Sequence, residues 1–86
     1  MKVHIPSPIQ SYTGGRRVVE AEGATLLSLL QAVNEAHPGL MFRIIDEQEK
    51  IRTHITLYVN TEREKKLSRP LLPTDEVHII CALSGG

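Results

Sequence analysis

Val77-His78-Ile79-Ile80-Cys81, continuing into Ala82-Leu83-Ser84-Gly85-Gly86, is the stretch on which the fold turns. Val77, Ile79 and Cys81 alternate with His78 and Ile80, the period of a strand with one face inward. The chain then passes from an apolar run to a small hydroxyl and two glycines. With glycine at roughly 7% of residues, a terminal pair arises by chance in roughly 0.5% of chains, so the pair carries information, although a frayed end also explains it. Without Cβ, an extended glycine backbone can thread a narrow channel, and its carboxyl carbon is unshielded. The candidate reactive group is the Gly86 α-carboxylate, activated by another protein, provided that the preceding residues build a compact domain to present it.

Length and charge bound that domain. At 86 residues the chain has room for one domain, burying roughly 60 to 65% of its unfolded surface. Ten basic residues balance ten acidic ones, so no net field draws nucleic acid or anionic membrane as the principal partner. Two tyrosines, one phenylalanine and no tryptophan give base stacking little support. The single cysteine, Cys81, excludes an internal disulfide framework and fits a reducing compartment. Met1 to Pro6 lacks the apolar core of a secretory signal, and no stretch approaches membrane-spanning length. A soluble cytoplasmic protein is expected.

Met1, Val3 and Ile5 alternate with Lys2 and His4 as a short strand that Pro6 and Pro8 end. Ser7 to Arg16, with Gly14-Gly15, reads as a loop with a tight turn, and Arg17 to Ala21 resumes an extended run, suggesting an antiparallel hairpin. Gly23 ends it. Thr25 is placed to cap a helix, with Ser28 at the third helical position giving no capping box. Leu26, Leu29, Leu30 and Val33 share one helical face, and His37-Pro38-Gly39 stops the helix. Leu40 to Ile45 is too short for periodicity to separate a helical turn from a strand. Asp46 to Arg52 is charged and exposed. Ile55, Leu57 and Val59 alternate as a strand, turned by Asn60-Thr61. Glu62 to Lys66 reads as a solvated mixed-charge segment, with Leu67, Leu71 and Leu72 covering an open end of the core. One sheet over one helix makes a two-layer α+β domain.

The order of elements, Tyr12-Thr13-Gly14-Gly15, Tyr58-Val59-Asn60, Leu72-Pro73-Thr74-Asp75-Glu76-Val77 and Ser84-Gly85-Gly86 resemble the ThiS/MoaD-type sulfur carriers over essentially the whole chain. The resemblance implies a ubiquitin-like β-grasp fold: a mixed twisted sheet of four to five strands over one main helix. Residues 1–81 would form the domain and residues 82–86 a flexible C-terminal tail. The family commonly has Asn-Gly at Asn60-Thr61, Asp-Gly-Asp at Pro73-Thr74-Asp75, and proline near the tail where this chain has Cys81.

What the resemblance implies is a protein cosubstrate without an active site or bound cofactor of its own. An E1-like partner would use ATP to adenylate Gly86, and a sulfur donor would convert the adenylate to a thiocarboxylate. A sulfur-accepting synthase would then consume it in forming molybdopterin, thiamin thiazole, cysteine or thiolated tRNA. Gly85, Ser84 and Leu83 would occupy the partner's channel. Ile80, Tyr58 and His78 would form a patch beside the tail's root where a partner docks, or else are ordinary scattered surface residues.

Other residues carry weaker signals. Cys81 falls on the inward period, which favours a small buried thiol over a reactive or disulfide-linked one. His4 and His78 would share the outward face if the first and last strands are neighbours, but two imidazoles without a third ligand make a weak site, and no metal is expected. His37 belongs to the helix stop and His54 to the start of a strand. Two further function classes compete with sulfur carriage: a ubiquitin-like modifier joined through Gly86 to lysines, and a plain interaction domain or small synthase subunit whose tail is idle.

Overall fold

The computed structural model describes residues 1–82. Strands β1 (Lys2–His4), β2 (Val18–Glu20), β3 (Ile55–Val59), β4 (Glu62–Glu64) and β5 (Val77–Cys81) form one sheet in the order β2-β1-β5-β3-β4. Helices α1 (Leu26–Ala36) and α2 (Leu40–Ile44) complete the layers. β1 pairs antiparallel with β2 and parallel with β5, while β3 lies antiparallel between β5 and β4. The last strand therefore occupies the middle of the sheet.

The alternating residues decide which way the sheet faces. Val3, Leu57, Val59, Val77 and Ile79 are fully buried and share one cluster with Leu26, Leu29, Leu30 and Val33 of α1. Burying each such side chain contributes roughly 1.5–3 kcal/mol, so a one-residue slip of β5 would expose Val77 and Ile79 and bury His78 at a prohibitive cost.

The start of α1 is more tightly held than expected. The Thr25 hydroxyl accepts the Ser28 N–H at 3.2 Å, while Ser28 Oγ accepts the Thr25 N–H at 2.9 Å. This is a reciprocal capping box, correcting the expectation that Ser28 could not form one: a serine hydroxyl reaches as well as a carboxylate here. The free amides of Leu26 and Leu27 donate to the carbonyls of Arg69 and Leu67 at 3.0 and 2.9 Å. The segment before β5 thus satisfies the helix end that would otherwise be orphaned.

Three local expectations are also revised and one open reading is settled. Ser7–Thr13 is a 3-10 helix rather than an open loop; Gly14 ends it at a φ of 64°, and the buried Thr13 hydroxyl sits 3.0 and 2.8 Å from the carbonyls of Gln10 and Arg16. Of the stretch Leu40 to Ile45, Leu40–Ile44 is helix and Ile45 is extended: Asn34 Oδ1 accepts from the amides of Gly39 and Met41, both at 3.1 Å. Glu62–Glu64 is a strand on the sheet edge, with Arg69 held by Glu62 and Glu64. Leu71 is buried and Leu67 packs on the core, but Leu72 is 66% exposed. A turn closes over Pro73-Thr74, Asp75 N–H to Leu72 carbonyl at 2.9 Å and Leu72 N–H to Asp75 carboxylate at 2.8 Å, and it holds Leu72 away from the core.

Candidate functional site

Strand register assembles the site's outward face. His4 on β1 stands opposite His78 on β5, His78 opposite Tyr58 on β3, and Tyr58 opposite Arg63 on β4. Ile80, one step further along β5, pairs with Thr56 and is 46% exposed. The structure therefore brings Ile80, His78 and Tyr58 to one face as expected, with His78 and Tyr58 half-buried. Leu83, Ser84, Gly85 and Gly86 lie outside the described residues.

The end of β5 is held by two successive pairings on its β3 side. Cys81 pairs with Ile55, and beyond it the Ala82 N–H donates to the His54 carbonyl at 2.8 Å. Cys81 keeps its inward period and touches the core but is half-buried rather than buried, because β5 here runs past the end of the hydrophobic layer. Shallow grooves flank this end of β5. One is lined by His4, Ile5, Pro6, Pro8, Ile80 and Cys81, and the other includes Tyr12, Arg43, His54, Cys81 and Ala82.

Glu76 is the residue that sequence reasoning missed. It lies two positions before His78 on the same face, and its Oε1 is 2.7 Å from His4 Nε2. The neighbouring His4 holds its carboxyl below the usual carboxylate range. The His4 and His78 rings stack with centroids 4.1 Å apart and planes inclined by 12°. One donor atom from each of His4, Glu76 and His78 lies within 4.8 Å of the others. The Glu76-Val77-His78 spacing was the available signal; the partner across 72 residues of chain was not.

A mixed five-stranded sheet over one main helix, with β5 at its centre, defines the ubiquitin-like β-grasp class. The chain belongs to the ThiS family, whose model matches residues 3–86. The sulfur carrier protein CysO of Mycobacterium tuberculosis is 29% identical over 89 residues, spanning 98% of this chain and 96% of its own. A chain in the crystal structure of the Amycolatopsis orientalis BexX/CysO complex superposes with a TM-score of 0.91 at 35% identity, covering 99% of this chain and 98% of that one. SAMP1 from Haloferax volcanii superposes at 0.79 with 27% identity, covering 100% and 98%. Among the described residues no helix is long and apolar enough to cross a membrane.

Proposed function

We propose that this chain is a sulfur carrier acted on by partner enzymes, with Gly86 as its reacting residue. The observation that carries the reading is the family match running from residue 3 through Gly86, on a fold whose central strand leads into that tail. In the proposed cycle a carboxylate oxygen of Gly86 attacks the α-phosphorus of ATP in an E1-like enzyme, and pyrophosphate leaves. A sulfur nucleophile then attacks the acyl carbon and expels AMP, leaving a thiocarboxylate. Adenylation supplies the leaving group that a free carboxylate lacks, and the terminal sulfur becomes the nucleophile passed to an accepting synthase. The carrier contributes presentation: β5 aims the arm, and Leu83, Ser84 and Gly85 fit the channel. Ile80, Tyr58 and His78 form the docking face. The relative crystallised as a BexX/CysO complex supports a protein partner for this fold.

The test is intact mass after incubation with ATP, sulfide and the activating enzyme. The mass gain of one oxygen-to-sulfur exchange, absent after deletion of Gly86, is expected; an unchanged mass with an active partner overturns the reading. The likeness to SAMP1, a small archaeal modifier protein by name, favours one second reading, in which a lysine amine attacks the same activated carboxyl. Lysine adducts ending in Gly86, recovered from cells in place of thiocarboxylate, would select it.

A further inference from the structure

We propose that His4, Glu76 and His78 form a binding site for a divalent d-block ion of the zinc, nickel or copper type, on the outward face of the sheet. Three observations converge on it. The donor atoms come within 4.8 Å of one another, so one ion is within reach of all three. The donor set, two imidazoles and one carboxylate, is that of three-ligand zinc sites, which leave a further position for water, and imidazole donors select these ions over magnesium or calcium.

The third observation is that the backbone beneath the donors is rigid. His4 and His78 are direct register partners across the parallel β1–β5 pair. Glu76 is pinned at both its amide and its carbonyl by Asn60, at 3.0 and 2.7 Å. The side chains above that frame can still turn, since His4 and Glu76 are 33% and 46% exposed.

Closure requires modest movement. Donors at about 2.0–2.2 Å from a tetrahedral ion stand roughly 3.2–3.6 Å apart. The stacked rings must therefore tilt out of their near-parallel arrangement, and the ion takes the place of the hydrogen bond between His4 and Glu76. Lys2, on the same face, is the described cation that bears on Glu76, and its charge opposes the ion without blocking it. The site shares His78 with the proposed docking face but has no donor in the tail, and zinc binding to the free chain is read without the sulfur-carrier cycle.

Calorimetric titration of the full chain with zinc chloride tests it, alongside NMR of the histidine ring protons. One ion per chain is expected, with ring shifts confined to His4 and His78. Removing a ligand should weaken binding by at least the roughly 10- to 100-fold that loss of a supporting residue costs, in His78→Ala and Glu76→Gln alike. Cys81→Ser and His54→Ala, which alter the neighbouring groove, should leave binding unchanged. No heat of binding, ring shifts at His37 or His54 instead, or binding lost with Cys81→Ser but kept in His78→Ala would each overturn the proposal. The ring shifts are read on the unaltered protein, so a variant that fails to fold does not decide the result.

Discussion

Asn60 grips Glu76 at both ends of its backbone: the Asn60 N–H donates to the Glu76 carbonyl at 2.7 Å, and Asn60 Oδ1 accepts the Glu76 N–H at 3.0 Å. Its Nδ2 also donates to Asp75 at 3.0 Å. With a φ of 57°, a conformation that asparagine tolerates, it ties the β3–β4 turn to the start of β5. Asn60→Ala should cost roughly 1–2 kcal/mol in urea unfolding through the lost side-chain bonds and the strained φ. Asn60→Gly relieves the φ but not the bonds and should recover only part of that loss; full recovery would mean the side chain contributes nothing.

Gly23 carries a steric requirement. A Cβ placed there would stand 2.4 Å from the Leu29 nitrogen and 2.6 Å from its Cα, backbone atoms of α1 that cannot step aside. Gly23→Ala should destabilise the fold by about 1–3 kcal/mol, as overpacking does, measured as a lowered denaturation midpoint.

The cap of α1 gives a gentler test. Thr25→Ala removes one half of the reciprocal pair and should cost about 1 kcal/mol. Ser28→Glu restores the longer partner found in most such boxes, and its midpoint should stay within a few tenths of a kcal/mol of the parent.

Acid should weaken the fold in a defined window. Backbone amides hold the carboxyls of Asp46, Glu64 and Asp75 below their ordinary range, and His4 does the same for Glu76. A depressed folded value means the stabilisation is complete above the unfolded value and disappears as pH falls through the folded one. Urea midpoints should thus decline as pH drops below the ordinary 4.5 of a glutamate and on past the 3.8 of an aspartate. Asp75→Asn should make that decline shallower; an unaltered slope would show that the Leu72 and Asn60 contacts do not act through its charge.

On the proposed docking face, Ile80→Glu places a charge on an exposed apolar residue near the end of β5. Affinity for the activating enzyme should fall at least about tenfold with the unfolding midpoint unchanged, the signature of a central contact. Equal affinity would remove Ile80 from the docking face.

Much of this architecture is legible in residues whose partners are close in sequence or whose pattern repeats. Ile55, Leu57 and Val59 declare a strand by alternation, and the leucines of α1 declare a helix by period. The 3-10 helix was masked because Pro6, Pro8 and Gly14-Gly15 signal a break without saying what the intervening residues do. Leu71 and Leu72 look alike in composition, and only the Leu72–Asp75 turn separates the buried one from the exposed one. At the site, the outward phase of His78, Ile80 and Tyr58 follows from alternation alone. Glu76 acquires its meaning from His4, which reaches it only after β1 and β5 have paired.

That pairing has a consequence for how the molecule is made. The parallel union of β1 with β5 joins residues more than seventy positions apart, and β5 is also the neighbour β3 needs on its inner side. Until the ribosome has released that strand, β1 and β3 face a gap where the sheet's centre belongs, and long-range pairing of this kind slows folding. A chain lacking β5 would leave two unfilled edges where the middle of the sheet belongs, so the strand that precedes the tail is also the one the sheet closes on.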